Sequence, residues 1–143
     1  MRAVRIFTGT SFKSPRPASG RIGYVLETQG RNGPVTRTGF ADLENATPNQ
    51  AELTVIEKAL ERMKEPCEIT IFTESTYVAA GMEWVKQWKE NGWVTARGKP
   101  VSNQEEWNRV LELMEPHTVS VENKQHEYSS WIKTELRGGK NNG

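Results

Sequence analysis

The sequence predicts an α/β domain built on a five-stranded mixed sheet flanked by helices, and three observations carry that reading. Segments rich in β-forming residues come first, separated by turn signals with no helix between them. From residue 47 onward, amphipathic helical stretches alternate with short β-rich ones. The resulting order, β-β-β-α-β-α-α-β-α, makes the first three strands an antiparallel meander. Helical crossovers then add parallel strands beside the first.

Each element has its own signal. Val4 to Thr8 (VRIFT) is the first strand, and SFKSPRPASGR is a loop set by Pro15, Pro17 and Gly20. Ile22 to Thr28 and Val35 to Phe40 are the next strands, joined by a turn at Arg31-Asn32-Gly33-Pro34 whose Asn-Gly favours a hairpin. Thr47 is placed to cap the first helix, with Pro48 in its first position and Gln50 closing a capping box. Leu53, Ile56, Leu60 and Met63 line its apolar face, and Pro66 lies beyond its end. Glu68 to Thr73 alternates as a strand. A helix from about Ser75 to Glu90 follows, with Val78, Met82, Val85 and Trp88 inward, and Asn91-Gly92 stops it. Residues 93–102 form a loop. Asn103 and Glu106 suggest a capping box for a helix carrying Trp107, Val110, Leu111 and Met114. Thr118 to Val121 is a short strand, residues 127–137 a final helix, and residues 138–143 a disordered tail.

Composition narrows the function classes. The chain has 143 residues, enough for one domain, residues 1–137, with a core that needs no disulfide or structural metal. No apolar run approaches the roughly 20 residues of a membrane span, and MRAVRIFTG lacks the apolar stretch of a signal peptide. Cys67 stands alone, which excludes a disulfide framework and a cysteine-built zinc site and makes a reducing, cytoplasmic setting the expectation. Net charge is only +1, so bulk charge does not announce a nucleic-acid partner. Of the 18 acidic residues, Asp42 is the sole aspartate.

Several segments together resemble the type 1 ribonuclease H family. IFTGTS (Ile6–Ser11) is similar to the family's first strand, TPNQAEL (Thr47–Leu53) to its Asn-x-x-Glu-Leu helix start, and FTESTYV (Phe72–Val78) to its Thr-Asp-Ser-x-Tyr-Val segment. The most specific match is Trp84–Trp107, WVKQWKENGWVTARGKPVSNQEEW, which resembles the tryptophan-rich helix, basic handle loop (about 91–102) and following helix of the bacterial enzymes. The resemblance implies a five-stranded ribonuclease H fold and metal-dependent cleavage of the RNA strand of RNA–DNA hybrids. It also implies four site acids, and here the chain departs. The first-strand aspartate position is Gly9, and the last-helix position falls on Thr134. Glu52 matches, and Glu74 stands for an aspartate. A one-residue shift would bring in Glu135, and Glu127 is also near. The family's loop histidine falls near Lys124, with His126 close by.

Two divalent ions about 3.5–4 Å apart demand carboxylate oxygens around and between them. Glycine supplies none, and residues 2–26 contain no acid. The expectation is therefore a domain that binds RNA–DNA hybrid or a related duplex after losing efficient cleavage. No cofactor is required, and magnesium or manganese would serve only residual activity at Glu52 and Glu74. The resemblance implies nucleic-acid contacts at Thr47, Asn49, Gln50 and Trp84, with Lys86, Lys89, Arg97 and Lys99 as handle bases. Two other classes stay open: a weakened metal nuclease built on Glu52 and Glu74, and a protein-interaction module on the same scaffold. No membrane partner is expected.

Overall fold

The computed structural model describes residues 1–138. Its order is β1 (Arg2–Thr10), β2 (Ala18–Gly30), β3 (Gly33–Ala46), α1 (Pro48–Leu60), β4 (Cys67–Thr73), α2 (Thr76–Glu90), α3 (Gln104–Met114), β5 (Thr118–Asn123) and α4 (Ser129–Gly138). The sheet runs β3-β2-β1-β4-β5. β1–β2 and β2–β3 pair antiparallel, while β4 joins β1, and β5 joins β4, in parallel.

The two sheet faces differ. On one, Ile6, Ile22, Ile69 and Ile71 pack under α1, and the core continues through Val85 of α2 and Trp107 of α3. The other carries a smaller cluster of Phe7, Val25, Phe72, Ile132 and Leu136, so α4 closes it with one helical stripe. Phe7 and Phe72 stack at 4.7 Å. Beside them Glu27, buried in β2, accepts hydrogen bonds from Arg5 (2.6 Å) and the Tyr128 hydroxyl (2.7 Å). That hydrogen bond pushes the Tyr128 phenol up to about 12, so the ring stays a donor and ties the approach to α4 onto the sheet.

Several boundaries move relative to the sequence reading. The first loop shortens because β2 begins at Ala18, where a register shift lets Ala18–Gly20 pair with the far end of β3. β3 runs on to Ala46, so Asp42 and Leu43 are strand residues. The hairpin turns on Arg31-Asn32, not Asn32-Gly33: Gly30 pairs with Gly33, which takes φ +117° as the first residue of β3. Met63 lies beyond the end of α1, and β5 extends to Asn123. Gly138 ends α4 and does not begin a tail; residues 139–143 lie outside the described part. Among the described residues, no helix is long and apolar enough to cross a membrane.

Candidate active-site cleft

The C-terminal ends of the parallel strands β1 and β4 open into a cleft of about 360 Å³ lined by Thr8, Gly9, Thr10, Pro48, Asn49, Glu52, Glu74, Ser75, Thr76, Tyr77 and Lys133. Local sequence explains how each wall is held. Thr47 and Gln50 make the predicted capping box: Thr47 Oγ1 accepts from Gln50 N (3.2 Å) and Gln50 Oε1 accepts from Thr47 N (3.0 Å). The box fixes the first turn of α1, which sets Asn49 and Glu52 at the cleft. Ser75 caps α2 by accepting from Val78 N at 3.1 Å, and Thr73 Oγ1 accepts from Ser75 N at 3.0 Å.

Glu52 is buried at the floor. One of its oxygens, Oε2, accepts the hydroxyls of both Thr8 and Thr73, the latter at 2.6 Å. Burial raises its pKa, opposed by those two hydrogen bonds. Glu74 sits at the rim, its Oε1 3.5 Å from Lys133 Nζ. The α4 stripe Ser129, Ile132 and Leu136 packs inward, leaving Lys133 on the flank that faces Glu74. Among the described residues, α4 thus gives the cleft a lysine and no acid. Thr134 does not line the cleft. Neither suggested substitute lines it: Glu127 and Glu135 are both absent from its walls, and Glu127 pairs with Arg5 at 2.9 Å. Lys133 escapes sequence reasoning because alignment on Glu135-Leu136 assigns the position to its neighbour.

Gly9 is constrained by more than its missing carboxylate. A Cβ built there would lie 2.6 Å from Cγ2 of Ile132. Gly9→Asp should therefore lower stability by about 1–3 kcal/mol through overpacking. The cost should shrink in an Ile132→Leu background, where the β-branch is gone; thermal unfolding of the four-member cycle measures it.

The chain matches the family model for RNase H over residues 1–127. It is 40% identical over 121 residues to the ribonuclease H of Brucella anthropi, covering 84% of this chain and 75% of that protein. The chain belongs to the ribonuclease H family. Among solved structures, LC9-RNase H1, a type 1 RNase H with the type 2 active-site motif, superposes with TM-score 0.78 at 18% identity, covering 96% of this chain and 74% of that one. The foamy viral protease-reverse transcriptase in complex with RNA/DNA hybrid aligns with TM-score 0.70 at 18% identity, over 99% of this chain and 20% of that one.

The ribonuclease H cleft of this chain does not fit a pair of divalent ions. Gly9 offers no ligand, the Oε2 of Glu52 is taken by two hydroxyl donors, and Glu74 faces a lysine ammonium. No group of three or more His, Cys, Asp or Glu side chains among the described residues is arranged to hold a metal. His126 does not line the cleft either. Its ring packs 5.0 Å from Phe7, Nδ1 accepts from Tyr128 N (3.2 Å), and Nε2 therefore carries the proton toward the Thr8 carbonyl (3.1 Å). Burial holds its pKa below the usual histidine value. His117 is likewise structural, accepting from Cys67 N at 2.9 Å.

The other residues that the family resemblance singles out for nucleic-acid contact fall into separate regions. Trp84 is seven positions beyond Tyr77, so it continues the cleft-side face of α2, and it is 51% exposed. Arg97 and Lys99 ride an ordered miniature hairpin: Val94 bridges Pro100, Thr95 N donates to the Lys99 carbonyl at 2.8 Å, and Val101 N to the Trp93 carbonyl at 3.0 Å. Gly92 and Trp93, at φ +77° and +66°, turn the chain into it. Lys86 and Lys89 face elsewhere, lining a groove with Met114, His117 and β5. Asn103 does not cap α3 with its side chain. It sits at φ +60°, and Nδ2 donates to the Tyr77 hydroxyl at 3.0 Å. Trp107 Nε1 donates to the same oxygen at 3.0 Å, so Tyr77 fastens the base of the handle to the cleft.

Proposed function

We propose that this ribonuclease H domain binds an RNA–DNA hybrid or a related duplex and does not cleave it efficiently by metal-dependent chemistry. The observation that carries the reading is at Gly9, where the family's first-strand acid is missing and Ile132 fills the space its side chain would need. Two metal ions in contact range repel unless anions lie between them. Binding has independent support. The first turn of α1 is rigidly capped, Trp84 is exposed on the cleft side, and the handle presents Arg97 and Lys99. Contacts to phosphates and 2′-hydroxyls across a minor groove need no metal.

An end-labelled hybrid incubated with magnesium or manganese, beside a Glu52→Ala/Glu74→Ala control, tests the chemistry. A chelator-containing binding series across salt tests recognition. The expected outcome is no cleavage above the double variant, with binding that weakens steeply as salt rises. Cleavage lost in the double variant would establish a nuclease working with two glutamates and overturn the proposal. Absence of both cleavage and binding would overturn it too and direct attention to a protein partner.

A further inference from the structure

We propose that Lys133 is a phosphate-binding residue in the degenerate cleft, with Glu74 as its resident counter-ion; this rests on the nucleic-acid-binding reading above. Lys133 is the one cation among the described residues that line the cleft. Its side chain is 53% exposed and that of Glu74 39%, with 3.5 Å between their charged atoms. Such a pair is open to water, weakly held and exchangeable. A phosphate oxygen can displace the Glu74 carboxylate from the ammonium without uncovering a buried charge.

The surroundings favour that exchange. The cleft carries no acid at Gly9 and none from α4, so an entering phosphodiester meets less negative charge than four carboxylates would present. Thr10 and Thr76 add neutral hydroxyls to its lining. Lys133 is also well anchored at its backbone. Ile132, its neighbour in α4, is fully buried against the second sheet face, and Leu136 one turn on is buried as well. The ammonium is therefore delivered to the cleft from a fixed helix, while its own stem keeps the freedom to follow a phosphate. A lysine here supplies positive charge toward the nucleic-acid backbone at the end of the sheet where the family uses metal ions. It supplies no Lewis acid, so it supports binding and not cleavage.

Hybrid binding by the whole protein in chelator, across a salt series, provides the test. Lys133→Ala should weaken binding about tenfold at low salt and reduce the slope of log affinity against log salt by about 1. Lys133→Arg should retain both. Glu74→Gln should tighten binding about two- to fivefold, by releasing Lys133 and removing a repelling carboxylate. In a Lys133→Ala background that gain should shrink, because the two residues share one interaction. Lys58→Ala, exposed in the last turn of α1 and away from the cleft, removes the same charge and controls for net charge. A Lys133→Ala slope equal to that of Lys58→Ala would overturn the assignment while leaving hybrid binding intact. A wild-type protein that binds no hybrid even at low salt would overturn both readings.

Discussion

Trp107→Ala will cost about 3–5 kcal/mol of folding free energy, the range for removing a fully buried tryptophan. The ring is 0% exposed. It packs edge-on to Trp88 with centroids 5.7 Å apart, and a Cβ at Gly81 would collide with it, so α2 is shaped around this side chain. Its Nε1 also donates to the Tyr77 hydroxyl, which holds Asn103 and reaches the Ser102 carbonyl at 3.3 Å. Truncation thus opens a cavity and removes one of the bonds that seat the handle. Against a total stability of roughly 5–15 kcal/mol the loss is severe. Denaturant unfolding measures it directly. Trp107→Phe, which keeps an aromatic body without the donor, should cost distinctly less. A loss below about 1 kcal/mol for the alanine variant would mean that α3 does not depend on this anchor.

The second large effect concerns recognition. Trp84→Ala/Arg97→Ala/Lys99→Ala should weaken hybrid binding by on the order of a hundredfold at moderate salt, with little change in unfolding midpoint. An aromatic platform for nucleic acid contributes about 1–3 kcal/mol, and each lost phosphate contact lowers the salt slope by about 0.7–0.9. All three side chains are exposed, so their removal leaves the core untouched. Lys86→Ala/Lys89→Ala makes the informative comparison, because those bases line a different groove, with β5 and the end of α3. It should change affinity much less. Equal losses from the two sets would place the duplex across both faces of α2 and contradict the surface drawn here.

These contrasts mark where sequence suffices. The α1 cap was legible because Thr47, Pro48 and Gln50 act within one turn, and the structure reproduces the box bond for bond. The apolar stripes of α1 and α3 were legible because a helix repeats its buried positions locally. Asn103 failed as a cap for the opposite reason. Its side chain is claimed by Tyr77, 26 positions away, which no local pattern reveals.

By itself, then, the sequence determined the element order, the sheet class, the family resemblance and the absence of acid from residues 2–26. Those follow from periodicity, turn chemistry and residue identity, all of which are written locally along the chain. Only the tertiary structure decided what occupies the cleft. The orientation of α4 depends on burying Ile132 and Leu136 against Phe7 and Phe72, strands distant in sequence. That packing turns Lys133, and not Thr134 or Glu135, toward Glu74, and it fills the space beside Gly9. A helix rotates by about 100° per residue, so a one-residue difference in which side chain is buried decides whether the cleft receives the Thr134 hydroxyl or the Lys133 ammonium.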